Sequence, residues 1–260
     1  MTSEHRVLIL FEGKTDKRLF ERMVSESTFS SLLSEGRYQP TLLQTSIYEL
    51  YDPLIKEEHQ FDSLTTYLLH KGLISCPENT RPQDLFSLIY LVFDFDPRYH
   101  LYDPNIIRKL ATYFSDETRK GLLYLNFPMV ECLFDVKQTQ DGLQVTKERP
   151  LSLCSSDSYK ALVKKETPFR SPSGHPFTVL GKADFAKVGV ASQKRYREIV
   201  GGSEEWSFSD LSGLLNQEIE AVDQEIVLPL SCLPFMALDY NAEETIKEWE
   251  DSSKNSTAND

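Results

Sequence analysis

Long apolar runs are missing from this 260-residue sequence. Stretches such as Val7 to Phe11 and Leu88 to Phe93 fall far short of the roughly 18–20 residues that a membrane-spanning helix needs. The N-terminal MTSEHR leads into one short apolar run with no small-residue cleavage site, so no secretory signal is read and a cytoplasmic location is expected. Cysteine is scarce. Cys76, Cys132, Cys154 and Cys232 are widely separated along the chain, which excludes a CxxC zinc knuckle and a compact disulfide framework. His5, His59, His70, His100 and His175 show no metal-ligand spacing, and serine or cysteine nucleophiles lack an evident partner. No glycine-rich phosphate loop is present. Gly13-Lys14-Thr15 ends as a P-loop does, but Leu8 occupies the place of that motif's first glycine, which argues against a nucleoside triphosphatase.

Positive charge is also in deficit, with 28 Lys and Arg against 40 Asp and Glu, a net of −12. As a total, this argues against nucleic acid, whose phosphates select basic surfaces. The distribution is uneven, however. Residues 159–199 carry nine basic residues against three acidic, a net of +6, and leave −18 for the remainder. The C-terminal stretch 239–260 holds seven acidic and two basic residues, and is expected to form an acidic, partly disordered tail.

Hydrophobic residues at 40% and charged residues at 26% fit a globular chain of one large domain or two small ones. Arg6 to Phe11 reads as a buried strand ending in Glu-Gly, followed by a helix over Asp16 to Val24. Tyr38 to Ile47 is a candidate second strand, and residues 48–74 read as one or two helices broken near Pro53 and Gln60. Leu88 to Phe93 is the strongest strand signal, and Gly121 to Phe127 is another. A helix is expected over 104–119, with Pro104 in its first turn, and a second opens near Met129. Strands alternating with helices predict an α/β fold with a central, mostly parallel sheet. Beyond Lys137 the polar, proline-bearing stretch to Pro176 reads as a hairpin and a long surface loop. Helices are then expected over 180–200 and 208–222, with an apolar closing element over 226–238.

The two best strands both end in acids, Glu12 in FEGKTD and Asp94 and Asp96 in VFDFDP. In a parallel sheet, such ends share one edge, and crevices open there where strand order reverses. Three converging carboxylates repel one another, and a divalent cation such as Mg²⁺ or Mn²⁺ resolves that conflict. Strand alternation sets Asp94 and Asp96 on one side, with Phe95 turned into the opposite core. Gly13 permits a tight turn into the following helix, whose N-terminus favours an anion in the same crevice. A solvated acid pair is the plainer alternative for Asp94 and Asp96. A phosphotransferase of the DxDxT kind is disfavoured, because Arg98 occupies the threonine position.

Taken together, an apolar strand with Glu12-Gly13-x-x-Asp16, a helix, and an apolar strand with Asp94-x-Asp96 resemble the Toprim fold, over about residues 6–135. That fold occurs in topoisomerases, bacterial primases and nucleases of the overcoming-lysogenisation and abortive-infection type. The resemblance implies a Rossmann-like sheet flanked by helices, with Glu12 in acid/base chemistry or metal binding and Asp94 and Asp96 holding Mg²⁺ or Mn²⁺. Asp16 becomes a contributor to a second metal. The segment Asn126-Phe127-Pro128-Met129-Val130-Glu131 resembles a further stretch of small Toprim-like nucleases and brings Glu131 near the site; an acid serving only a helix dipole is the alternative. Lys14 is placed to meet a non-bridging phosphate oxygen, with a solvated lysine as the alternative. The separation of Glu12 from Asp94 exceeds that of a minimal core and implies a helical insertion over about 48–85, within a catalytic core of 1–136. Residues 137–238 then form an α-rich C-terminal extension. Without a primase's zinc cysteines or a fused ATPase, the chain is most similar to standalone Toprim-like nucleases of anti-phage systems. These are restrained by a separate ATPase partner, and a homodimer is the default assembly.

These features predict metal-dependent phosphodiester hydrolysis of DNA or RNA. A backbone track is expected along Lys182, Lys187, Lys194, Arg195 and Arg197, with Phe185 and Tyr196 interleaved for stacking. A helix whose lysines only keep it solvated is the simpler reading. Two other classes stay open: a non-catalytic Toprim-like module docking a partner protein through its acidic face, and a metal-dependent transferase whose DxD holds a nucleotide diphosphate.

Overall fold

A computed structural model describes residues 6–25, 38–169, 180–201 and 211–256. The chain opens with Val7–Phe11 (β1), Lys14–Ser25 (α1) and Tyr38–Leu42 (β2). Short helices follow at Tyr51–Leu54 (α2) and Leu64–His70 (α3), and then Leu88–Asp94 (β3), Pro104–Tyr113 (α4), Ser115–Asp116 (β4) and Gly121–Asn126 (β5). The central sheet has the order β2-β1-β3-β5-β4. Its first four strands are parallel, and β4 is an antiparallel edge. The fold is therefore α/β with a mostly parallel sheet flanked by helices.

The apolar runs are explained by burial on both faces, as in parallel sheets generally. Every residue of β1 is buried. Leu8 and Leu10 join Leu91, Phe93, Leu123 and Leu125 in one cluster, whereas Ile9 and Phe11 join Val92 and Tyr124 in the other. The first cluster is covered by the stretch from Ile47 to Leu68 and by α4. The second is covered by α1 and the 3-10 turn Val130–Phe134. The helical stretch breaks near Pro53 and Gln60, as expected: α2 ends at Leu54, one residue past Pro53, and α3 begins only at Leu64.

The helix expected over 104–119 begins at Pro104. The Asp103 carboxylate caps it, accepting the Asn105 N–H at 2.6 Å and the Ile106 N–H at 3.3 Å. The helix stops at Tyr113, because Ser115–Asp116 turns back to pair with β5. Beyond it lie the hairpin Val136–Thr139 (β6) and Gly142–Val145 (β7), as expected, and then Arg149–Pro150 (β8). The long surface loop predicted to reach Pro176 is corrected. Ser156–Glu166 forms a helix (α5) that buries Tyr159 and Val163, four residues apart, and Pro150 and Pro168 flank it. Residues 170–176 of that expectation lie outside the described residues.

Lys182–Val200 (α6), Leu211–Asp223 (α7), Ile226–Val227 (β9) and Leu233–Ser256 (α8) complete the chain. The part read as a C-terminal extension does not stand apart from the sheet. Tyr159, Val163, Phe185 and Leu233 enter the cluster of β1 and α1, while Leu214, Ile219 and Phe235 enter the opposite one. The disordered tail is likewise corrected, since α8 continues through it and buries Thr245 and Trp249. Residues 257–260 lie outside the described residues. No helix among those described is long and apolar enough to cross a membrane.

The docking of α8 rests on a close approach. A Cβ on Gly189 of α6 would run into the Trp249 ring. Gly189→Ala is therefore expected to lose about 1–3 kcal/mol by overpacking, although alanine favours a helix by about 1 kcal/mol. Urea denaturation followed by circular dichroism measures it. A gain in stability would show that α8 does not rest on α6.

Candidate functional site

Strand order reverses between β1 and β3, since β2 lies to one side of β1 and the later strands to the other. Ligands of open parallel sheets bind outside the carboxyl ends of the strands at such a point. The register pairs Phe11 with Val92. The Glu12 N–H continues the ladder to the Val92 carbonyl at 3.2 Å, and the Asp94 N–H donates to Glu12 Oε2 at 3.1 Å. The last backbone donor of β3 thus pins the side chain that follows β1.

Two further acids reach this edge from neighbouring elements. Asp16 is buried in the first turn of α1, where its Oδ2 accepts the Gly13 N–H at 3.1 Å, half of a capping box. Glu131 lies in the 3-10 turn after β5, and its Oε1 is 3.3 Å from the ammonium of Lys160 on α5. Buried Asn126 pairs in register with Asp94, and its Oδ1 accepts from the Ser231 hydroxyl at 3.0 Å and the Cys232 N–H at 3.3 Å.

Burial is the main electrostatic force on all these acids. It pushes Glu12 up to about 8, with Asp16 and Asp96 adding repulsion and the Asp94 N–H opposing. Asp16 rises to about 6, by burial first and then by repulsion from Glu131. Asp94 is held well above the ordinary carboxylate range by burial and then by Asp16, Glu12 and Glu131. Glu131 is raised by burial, with Lys160 opposing. Burial also works against the charge of Lys160, yet Glu131, Asp94 and Asp16 hold its ammonium above its usual value.

Asp94 Oδ1, Asp16 Oδ1, Glu131 Oε2 and Asn126 Nδ2 are buried and find no hydrogen-bond partner among the described residues. Carboxylate oxygens without donors are the ligand type that Mg²⁺ and Mn²⁺ take, so the donor set fits a hard divalent cation. Among the described residues no three His, Cys, Asp or Glu side chains already form a ligand group. A bound cation would have to draw these acids closer together.

Glu12, Asp16, Asp94 and Glu131 are thus brought to one place, as expected. Asp96 differs in detail. Phe95 is fully buried, as alternation requires, but β3 ends at Asp94 and Asp96 stands in a turn with φ +26°. Its N–H donates to the Pro128 carbonyl at 2.9 Å, and its Oδ1 accepts the Arg98 N–H at 3.2 Å. It is raised mainly by burial and borders Glu12 and Tyr48 at the rim of the cluster. Lys14 is exposed.

The expected track on α6 is corrected. Phe185 and Tyr196 are buried, so neither is free to stack on a base. Arg195 is buried as well, donating to the Lys147 carbonyl and lying 3.4 Å from Glu198. Lys182 is 3.6 Å from Glu248 on α8, Lys187 is half-buried, and Arg197 has a buried Nε without a partner among the described residues. Of the five, Lys194 is exposed without an ion pair among the described residues. The cause is packing: α6 is covered by α8 on one flank and by β7 on another. Lys160 escapes a reading of the sequence, because α5 lies in a stretch whose prolines suggest a loop. Its only signal is membership of the basic segment.

No family model matches the sequence, and no curated protein matches it. What the site does must be read from its own chemistry.

Raised carboxyl pKa values have a stability consequence. The folded chain keeps protons on Glu12 and Asp16 that the unfolded chain releases near the ordinary values of 4.5 and 3.8. Without divalent cations, stability is then greatest below those values and falls as pH rises through about 6 and about 8. Thermal melts in EDTA are expected to show this decline, Glu12→Gln to flatten its upper part, and Mn²⁺ to raise Tm more at pH 8 than at pH 5. A Tm independent of pH in EDTA contradicts the assignment.

Proposed function

We propose that the chain is a Toprim-fold, Mg²⁺- or Mn²⁺-dependent nuclease that hydrolyses phosphodiester bonds of nucleic acid. The observation that carries this is the set of buried carboxylate oxygens on Asp94, Asp16 and Glu131 left without donors beside Glu12, where strand order reverses. Asp94, Asp16 and Glu12 would hold the cation, with Glu131 beside them and Asp96 at the rim. When bound, it would supply charge stabilisation at the scissile phosphate and a more acidic water.

The chain's own groups supply the rest. Glu12 is oriented by the Asp94 N–H; raised to about 8 without a cation, its carboxyl is protonated at neutral pH, and it would serve as a general base only once a neighbouring positive charge has drawn that proton off. Lys160 brings a fixed positive charge to the same edge, where an added phosphate needs one. Phe95 and Phe127, packed with ring centroids 5.1 Å apart, back the site with an apolar floor. By the same reading, the activity is toxic in cells and restrained by an ATPase partner in trans.

One observation favours a non-catalytic module instead. The Lys160 ammonium already lowers the cost of the acids it faces, the service that a metal would perform. Incubating the protein with single-stranded and duplex DNA and RNA separates the two readings. Cleavage is expected with Mn²⁺ or Mg²⁺ and none in EDTA, and Glu12→Gln and Asp94→Asn should each lower it by roughly 100-fold or more. In cells, growth arrest with degraded nucleic acid is expected from wild type and not from Glu12→Gln. If the purified protein binds no divalent ion at all, the nuclease reading fails and the module replaces it.

A further inference from the structure

At the opposite end of the sheet, the structure gathers positive charge in a way that the net of −12 conceals. A groove of about 610 Å³ opens between the outer face of α4 and the turn that leads into β5. Arg108 and Lys109 line it from the helix, and Arg119 and Lys120 line it from the turn. Asp116 is the single acid in its wall among the described residues. Lys120 immediately precedes Gly121, the first residue of β5, whereas the carboxylate cluster lies past Asn126 at the last. At ~3.3 Å per strand residue, the two places are about 20 Å apart.

Three of the four cations are held by neutral groups. Arg108 Nε donates to Asn216 Oδ1 at 3.0 Å. Lys109 Nζ donates to the Tyr51 hydroxyl at 3.1 Å and lies over that ring. Lys120 Nζ stands 3.9 Å from the centre of the Tyr113 ring. Among the described residues only Arg119 has a carboxylate, Asp116 at 3.5 Å, and the other oxygen of that carboxylate is taken by the Thr118 N–H and hydroxyl at 2.9 and 2.6 Å. Phenols, an amide and an aromatic face orient these side chains without cancelling their charge. In a chain so rich in acids, that leaves an ordered surplus of positive charge in the wall of one groove, with Asp103 and Glu57 acting on Lys109 from outside that wall.

We propose that this groove is a binding site for a phosphate-rich ligand. One acid against four cations calls for more than a single negative charge. Guanidinium groups at two positions match the paired oxygens of a phosphate, which a point charge does not. The volume lies within the range of small-ligand sites, roughly 300–1,000 Å³, and exceeds what one phosphate fills. The phosphates come either from a free oligophosphate-bearing molecule or from the backbone of a nucleic acid. The site is separate from the carboxylate cluster, so its occupancy does not depend on cleavage there.

Binding is measured on the full chain in EDTA, where no metal-dependent reaction proceeds, with tripolyphosphate, a short fluorescent single-stranded oligonucleotide, and citrate as a phosphate-free polyanion. Saturable binding of tripolyphosphate or of the oligonucleotide is expected, and Arg119→Glu combined with Lys120→Glu should weaken it by about tenfold or more. Both positions are exposed, and an unchanged melt confirms that the variant folds. For the oligonucleotide, Lys120→Ala should also reduce the salt dependence, by about one released counterion. Tripolyphosphate alone binding assigns a free phosphorylated molecule, and the oligonucleotide alone assigns a nucleic-acid backbone. No saturable binding of either, equal binding by the doubly reversed variant, or citrate binding as tightly as tripolyphosphate overturns the proposal.

Discussion

Negative charge taken out of water must be answered, and at the carboxyl edge of β1 and β3 it is answered only in part. The Asp94 amide, the Gly13 amide and the Lys160 ammonium each reach one carboxylate, yet further oxygens of Asp94, Asp16 and Glu131 have no donor among the described residues. An unpaired buried carboxylate is costly enough that the group keeps its proton instead. The edge is therefore held between protonation and partial neutralisation by Lys160.

The rest of the fold holds that edge in place. Parallel pairing of β1 with both β2 and β3 creates the strand reversal, and burial on both faces fixes the register that aligns Glu12 with Asp94. The C-terminal half then closes the arrangement from outside. Asp135 is buried and accepts from Tyr159 at 2.9 Å, from Thr146 at 2.7 Å and from Arg149 at 2.6 and 3.0 Å. Since Tyr159 adjoins Lys160, this network sets the position of the helix that delivers the ammonium. A fully satisfied buried network of this kind fixes one geometry rather than several.

Much of this was legible in the residues, because the strand signals were strong and local. VLILF and LIYLVF are dense in β-formers, and the acids that end them had to fall on one edge once the sheet was parallel. Glu131 was brought near them only by a resemblance of its segment, with a helix-dipole acid as the alternative. The failures share a cause. Tyr159 and Val163 mark α5 by only two buried residues, inside a stretch whose prolines suggested loop. Arg195 read as part of an exposed track, and the stretch around Trp249 as an acidic tail, because sequence shows charge and not the helix packed against it. Asp96 followed the alternation of a strand that had already ended. Cations gathered by tertiary packing, such as Arg108 with Lys120, leave no mark on composition at all.

The order of the chain gives the Lys160–Glu131 contact a further meaning. A polypeptide leaves the ribosome from its N-terminus, so Glu12, Asp16, Asp94 and Glu131 all emerge before the lysine that faces them. The helix carrying Lys160 is in turn packed in a cluster with Leu233 and Met236, later still. During synthesis those acids are thus made before the ammonium that faces them, and the cluster that packs them is completed only with the later helices.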